Sequence, residues 1–350
     1  MTTQPQLASQ FGRKYQLYIS GQSPNGTVEK ILVSDSTLGQ HALRFTFNVH
    51  KFFYQAFWFA DIEIYNADGP LPNNAQGLSL SQLVIEQGMN VEIRAGYDNG
   101  RFGTIWEGQI FQPFISRKGV VDNVLRLNCI QGLYWGPNNF INFNLPALQT
   151  VRQEAETMAQ NASTPIPISQ ASLQQLDGAI RQPLPRAQTI FGDPLKRFGE
   201  LTDSSNMIPF MGGNGLQISS PQNVNFTPIA SYAPIWSPGS TPQSLKPGID
   251  YTLVDTPVQT LIGVDFSVLL DSRLDIQLPL STVHLASEAL IELQALSIGS
   301  YAPRPLSSTM GNYVLIGVEH TGDTRGELWR TNVTGVEYVE DMLLLLGQNG

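Results

Sequence analysis

Glycine and proline fall every few residues along most of this chain, and that spacing leaves little room for long helices. With 31 Gly and 23 Pro in 350 residues, the two make up about 15%, above the usual share of roughly 12%. Asn and Ser add further turn formers between short apolar runs. Such punctuation predicts many short strands joined by tight turns. The clearest instance is a hairpin. Val91, Ile93 and Ala95 alternate on one strand, Asp98-Asn99-Gly100 makes the turn, and Phe102 to Phe111 returns. Asn-Gly suits the turn because both residues tolerate positive φ.

The same reading extends along the first third. Tyr15, Leu17 and Ile19 alternate with polar neighbours, as do Leu43, Phe45, Phe47 and Val49. Each pattern marks a half-buried strand. Lys30 to Ser34, Ala60 to Tyr65 and Val120 to Ile130 add three more strands, and Leu78 to Gln87 reads as a short helix. The middle differs. Pro146 to Asn161 reads as a helix with Leu148, Val151, Ala155, Met158 and Ala159 inward. Ser163 to Arg186 is rich in Pro and Gln and reads as a linker or extended loop. Asp193-Pro194 opens a second helix, cap then proline, with Leu195, Phe198 and Leu201 inward. Ile208 to Met211 and Leu216 to Ile218 form a small hairpin, and Pro221 to Pro247 is a Pro- and Ser-rich stretch. Strands return at Leu261 to Leu270, Arg273 to Pro279 and Ala289 to Leu296. Tyr313 to His320 and Leu328 to Tyr338 form a long hairpin. The division expected is an all-β segment at 1–146, a mixed α+β segment at 147–247 and a second all-β segment at 248–350.

Composition narrows the function. Charged residues are 14%, against 41% hydrophobic and 9% aromatic, and the net charge is −9. An acidic chain lacks the basic footprint of a dedicated nucleic-acid binder. No run of about 18 apolar residues is present, so no stable membrane insertion is expected. The start, MTTQPQLASQFGRKYQ, has no apolar signal core, which points to assembly in a reducing cytoplasm. The single Cys129 cannot form an internal disulfide or a thiolate metal site. His41, His50, His284 and His320 are too scattered for a paired metal site. No metal and no cofactor is expected.

Tests for catalysis come back thin. Gly212-Gly213-Asn214-Gly215 lacks the Lys-Ser/Thr of a phosphate loop and reads as a turn. His320, near Asp323, is a candidate base, against the plainer reading of a turn histidine. Asp265, Asp271 and Asp275 could pair for glycoside hydrolysis, against the reading of turn and solvated strand positions. Asp98 and Asn99 read as a turn tip, not as calcium ligands. Cys129 reads as a buried inert thiol. Two apolar stretches stand out instead. The run Phe52-Phe53-Tyr54-Gln55-Ala56-Phe57-Trp58-Phe59 has large residues on both faces, as in a strand covered by the core and by a partner, or in a plain core strand. Leu343, Leu344, Leu345 and Leu346 either dock on their own domain or pack on a neighbour. Phe52, Phe53, Phe57, Trp58, Phe59 and these four leucines are the interface candidates. No catalytic residue is assigned.

A longer pattern runs through these strands. Ala60-Asp61-Ile62-Glu63-Ile64-Tyr65-Asn66 is followed by Gly88-Met89-Asn90-Val91-Glu92-Ile93-Arg94-Ala95-Gly96-Tyr97. Then come Ile105, Gly108 and Ile110, and the stretch Leu125 to Gly132. Near the C-terminus, His320, Gly322 and Asp323 precede a strand bearing Trp329. This succession resembles the baseplate hub proteins of contractile-tailed bacteriophages, and the hub part of type VI secretion spike proteins. One departure is Gln131, where an acidic residue is expected. The resemblance implies a mainly β fold of two related tube-type β-barrel domains plus a smaller mixed segment, with the barrels able to interleave along the chain. It implies a homotrimer whose six barrels form a ring, matching a sixfold tail tube above and a threefold central spike below. The implied partners are further copies of itself, the tail tube or distal tube-initiator protein, the spike protein and the tape measure protein, with DNA only in passage through the lumen. The implied location is the tail baseplate of a virion, and the role is structural. The rival expectation is a glycan-binding or glycan-hydrolysing tail module, which would need Trp58, Trp106, Trp135, Trp236 or Trp329 exposed beside paired carboxylates.

Overall fold

The computed structural model describes residues 12–22, 28–53, 55, 57–67, 71, 85–98, 100–118, 122–135, 139–177, 185–203, 207–212, 215–219, 225–234, 249–255, 257–261, 263–275, 281–285 and 311–337. The fold is mainly β. Its contacts divide it into two units, each assembled from more than one stretch of chain. The larger comprises Gln16–Ile93 and Trp106–Asn223; the other comprises Met1–Tyr15, Arg94–Ile105 and Val224–Gly350. The divisions fall inside three strands, so a β-strand crosses from one unit to the other three times.

The larger unit is built on an antiparallel sheet. Its strands are β1 (Arg13–Gln22), β2 (Val28–Asp35), β3 (Phe45–Phe52), β4 (Phe59–Tyr65), β5 (Asn90–Tyr97), β6 (Phe102–Lys118) and β7 (Asp122–Ile130), in the spatial order β3-β4-β7-β6-β5-β1-β2. The period-two patterns were good guides. β3 alternates buried and half-buried along its whole length, and Tyr15, Leu17 and Ile19 are buried. One register row reads Phe45–Ile64–Leu125–Ile115 across β3, β4, β7 and β6. Side chains on one row share a face and pack against each other.

The mixed segment adds β8 (Ile141–Leu145), α1 (Val151–Gln160), α2 (Gln170–Asp177), β9 (Gln188–Gly192), α3 (Pro194–Asp203), β10 (Ile208–Gly212) and β11 (Gly215–Ser219). It has a core of its own, in which Val151, Ala155 and Met158 of α1 meet Leu173 and Leu176 of α2, Phe198 of α3, and Leu216 and Ile218 of β11. A capping box opens α1. The Thr150 hydroxyl accepts from the Gln153 N–H at 3.3 Å, and the Gln153 side chain accepts from the Thr150 N–H at 3.0 Å. At α3 the Asp193 carboxylate accepts from the Leu195 N–H at 2.9 Å, as its cap-then-proline sequence predicts. Two expectations fail here. Gln170–Asp177, read as linker, is helical, because Leu173 and Leu176 recur at helical spacing and find a core to bury in. Leu148, expected inward, lies before the helix at φ 62° and is exposed.

The other unit contains β12 (Asn225–Pro234), β13 (Asp250–Leu253), β14 (Val258–Gln259), β15 (Val264–Leu269), β16 (Ser281–Leu285), β17 (Gly311–Asp323) and β18 (Trp329–Glu337). Six of these close on themselves. β12 pairs with β13 and β16 in parallel, β16 with β17, β17 with β18, β18 with β15 and β15 with β13. The result is a small barrel, with Tyr232, Phe266, Val268, Val318 and Val333 buried. Small barrels fill with side chains and have no exposed sheet edge. β12 lies within the Pro- and Ser-rich stretch not read as strand. Ser272 and Arg273 form a turn, and Leu274 and Asp275 are not in a strand, so the strand expected to start at Arg273 does not start there. The expected strand at Ala289 to Leu296 and most of the helix at Leu78 to Gln87 lie outside the described residues.

Candidate functional site: a plugged barrel and an open strand edge

One end of the small barrel is filled by charge. Asp271 is completely buried. Its carboxylate accepts from the guanidiniums of Arg101 and Arg273, from the Tyr232 hydroxyl at 2.6 Å and from the Arg273 backbone N–H at 3.0 Å. Asp250 accepts from the same two arginines. Burial by itself would raise the Asp271 carboxyl, but the Arg101 and Arg273 charges and the Arg273 and Tyr232 hydrogen bonds hold it below the usual carboxylate range. Burial and the neighbouring Asp271 charge push the Tyr232 phenol well up. The Asp271 N–H donates to the Thr331 hydroxyl at 3.0 Å, and that hydroxyl meets Nδ1 of buried His320 at 2.9 Å.

Two outlying segments of this unit reach the same end. Arg101 belongs to the β5–β6 hairpin tip. There Gly96 is required, because a Cβ would strike the Arg101 carbonyl oxygen, and the Trp329 indole N–H donates to the Gly96 carbonyl at 3.3 Å. Arg13, at the start of β1, lies 5.4 Å over the Trp329 ring and donates to the carbonyls of Asp323 at 2.8 Å and Glu327 at 3.0 Å. The cluster therefore ties three separate stretches of chain into one unit.

This geometry answers the catalytic candidates. His320 pairs with Thr331, and Asp323 instead accepts the Arg325 N–H two residues on, closing a turn. Asp271 is saturated by cations and carries no available acid, and Asp265 and Asp275 lie half-buried elsewhere in the unit. Cys129 is buried, and burial with the nearby Asp61 carboxylate pushes its thiol up, away from nucleophile chemistry. Trp58, Trp106 and Trp329 are buried, and Trp135 packs partly buried on the helical core. Trp236 lies outside the described residues.

The interface candidates scatter. The aromatic run is not one strand: Phe52 ends β3, Phe59 opens β4, and the described residues between them belong to the connection, which is why its large residues fail to alternate. The Gln55 N–H donates to the Phe52 carbonyl across the turn at 3.1 Å, and the Trp58 indole N–H donates to the same oxygen at 3.1 Å. Trp58 and Phe53 are corrected to core residues. Trp58 stacks on Phe210 at 5.2 Å and Phe53 meets it edge-on at 6.1 Å, with exposures of 0% and 2%. Phe57 leans on the helical core, Phe52 is half-buried, and Phe59 is exposed. Leu343 to Leu346 lie outside the described residues. Gln131 is fully enclosed, and among the described residues neither its side-chain oxygen nor its nitrogen has a hydrogen-bond partner. An ionised acid there would cost far more than the neutral amide.

What sequence reading missed is β6. It was expected to end at Phe111 but runs on to Lys118, beyond the reach of β5. The last rungs joining these two strands are the Ile110 N–H to the Met89 carbonyl and the Gly88 N–H to the Ile110 carbonyl, both 2.8 Å. From there to Lys118, β6 pairs only with β7 among the described residues. Phe111, Phe114 and Ile115 are exposed on this stretch, Ile115 by 72%. At its end Lys118 reaches Glu63 at 2.7 Å, which Arg126 also meets at 2.7 Å. The signal available was Pro113 within the stretch Phe111 to Ile115, a residue found in strands mainly at edges.

No family model matches the sequence, and no curated protein does. Solved structures do. The tail protein from Neisseria meningitidis MC58 aligns with a TM-score of 0.50 at 10% identity, over 92% of this chain and 96% of that one. The 43 kDa tail protein of prophage MuSo2 from Shewanella oneidensis aligns with a TM-score of 0.52 at 10% identity, over 92% and 98%. A component of the type VI secretion system of E. coli aligns at a TM-score of 0.42 and 10% identity, over 85% and 74%. The chain has the tail-protein fold of the first two, and at the level of fold the resemblance read from its sequence holds.

Proposed function

We propose that this protein is a structural component of a contractile tail: the baseplate hub, a homotrimeric ring that adapts a sixfold tail tube to a threefold spike. The observation that carries the reading is the end-to-end alignment with two tail proteins, which covers nearly the whole of all three chains. The closed barrel and the second, larger sheet supply the two β domains that such a ring needs from each subunit. In this reading the two domains are threaded through one another along the chain. The partners are the tube or tube-initiator, the spike and the tape measure, the location is the virion tail, and DNA passes without stable binding. The subunit interface draws on Phe52, Phe57 and Phe59 and on the Leu343 to Leu346 tail. No residue acts as a catalyst. The glycan-active rival draws no support from Trp58, Trp106 and Trp329, all of them buried.

Absolute mass in solution tests the reading, for the chain by itself and co-expressed with its spike partner. One chain is 38.5 kDa, and a closed threefold assembly has three times that mass. A trimer in either sample is the expected result. A monomer in both overturns the ring, and peptidoglycan cleavage or glycan binding by the purified protein would replace it.

A further inference from the structure

We propose that the open half of β6, Phe111 to Lys118, receives the C-terminal segment Glu340 to Leu346 of a second copy of this chain as an added antiparallel strand. The inference rests on the trimeric reading above and names the surface that joins the copies.

The edge is unfinished in a specific way. Along the row Phe45–Ile64–Leu125–Ile115, the first three side chains are 0%, 0% and 7% exposed, while Ile115 is 72% exposed. A line of core side chains thus ends in the open, on a strand whose outer backbone groups have no partner strand among the described residues. Such an edge is a template for an added strand. Phe114, on the opposite face, is also exposed, so an occupant must bring apolar side chains to both faces. At its far end the edge is basic, with Arg117 and Lys118 both exposed.

The C-terminal sequence Glu340-Asp341-Met342-Leu343-Leu344-Leu345-Leu346 has the matching order: two acids, then apolar residues on both faces. One antiparallel register matches the apolar centre of the edge and its basic end, with Met342 opposite Ser116 and Leu346 opposite Gln112. It sets Leu343 opposite Ile115, Leu344 opposite Phe114 and Leu345 opposite Pro113, while Asp341 meets Arg117 and Glu340 meets Lys118. Opposite charges and apolar pairs directly across a ladder are the favourable ones. A shift by one residue would place Met342 beside Arg117 in one direction, or Asp341 beside Ser116 and Val339 beside Lys118 in the other, and either shift would turn Leu343 to the opposite face.

Disulfide trapping in the full chain tests this directly. Chains carrying Ile115→Cys are mixed with chains carrying Leu343→Cys under mild oxidation. Residues directly opposite in an antiparallel pair lie within disulfide reach, and buried Cys129 does not compete. The expected result is a two-chain product from the mixture, none from either variant by itself, and roughly tenfold less when Leu344→Cys replaces Leu343→Cys, since neighbouring side chains face opposite ways. Light scattering on the same samples separates the failures. A trimer without the cross-link overturns this docking and leaves the ring standing, whereas a monomer overturns the ring. A bridge within one chain overturns docking between copies. Should the cysteine variants fold poorly, Arg117→Glu serves instead. It should raise the concentration for half-dissociation about fivefold, as reversing one cross-strand charge pair implies, and Asp341→Lys should restore it. Failure of that restoration also overturns the register.

Discussion

The two units meet the same problem, a sheet with edges, in opposite ways. The six-stranded barrel closes on itself, each of its strands pairing on both sides, and has Asp271, Asp250, Arg101 and Arg273 at one end. The larger unit leaves Phe111 to Lys118 with one side unpaired among the described residues. The difference has an energetic meaning. A closed barrel has no edge to offer, so its polar plug is under pressure only to be complete. Buried charges are tolerated when every partner is present and become costly when one is removed. An open edge costs little in the isolated chain, because water satisfies its backbone, and gains its value only when another strand arrives.

The comparison can be broken most easily at Asp271. Asp271→Ala leaves two arginines and Tyr232 facing a void, so it should cost about 3–5 kcal/mol in urea unfolding. A loss below 1 kcal/mol would mean that the plug is ornamental. Phe210→Ala is the matching probe in the larger unit, since its ring is held between Phe53 and Trp58, and it should cost about 3–4 kcal/mol through lost burial and a residual cavity. Acid should act on the barrel more than on the larger unit's core. The folded Asp271 carboxyl lies below its ordinary value, so its contribution is complete above the unfolded value of about 4. That contribution is lost as pH falls through the lower, folded value. Melting temperature against pH should therefore bend downward in that acid window in the wild type, and Asp271→Asn should flatten that bend. At α1, Thr150→Ala removes half of a capping box and should cost about 1 kcal/mol, measured as a shift in the denaturation midpoint. The smallest effect belongs to the open edge: Ile115→Ser should move the stability of the isolated chain by less than about 0.5 kcal/mol, because the side chain touches little there. A larger loss would show that the edge is already covered within one chain.

Much of the strand content was legible because period-two alternation reports half-burial, and β3, much of β4 and β5, and β18 obey it. The Asp193-Pro194 helix start was equally plain, since its chemistry is local. The errors were of another kind. Phe53 and Trp58 could be read as partner-facing or as plain core, because a dense aromatic run does not alternate, and the choice is made by a connection that folds them onto Phe210, more than a hundred residues away in sequence. α2 was hidden by Pro and Gln neighbours, and only the mixed segment's core brings Leu173 and Leu176 to use. Asp271 looked like one turn acid among three. Nothing near it in sequence announces Arg101, 170 residues away.

By itself the sequence determined that this chain is a strand-rich, acidic protein with a mixed helical segment in its middle, because hydrophobic period, turn chemistry and caps act over a few residues. Only the tertiary structure decided which strands close into a barrel, which acid is buried among arginines and which edge stays open. Those outcomes depend on backbone hydrogen bonds and charges meeting across long stretches of chain, and strand pairing leaves no local trace of its partner.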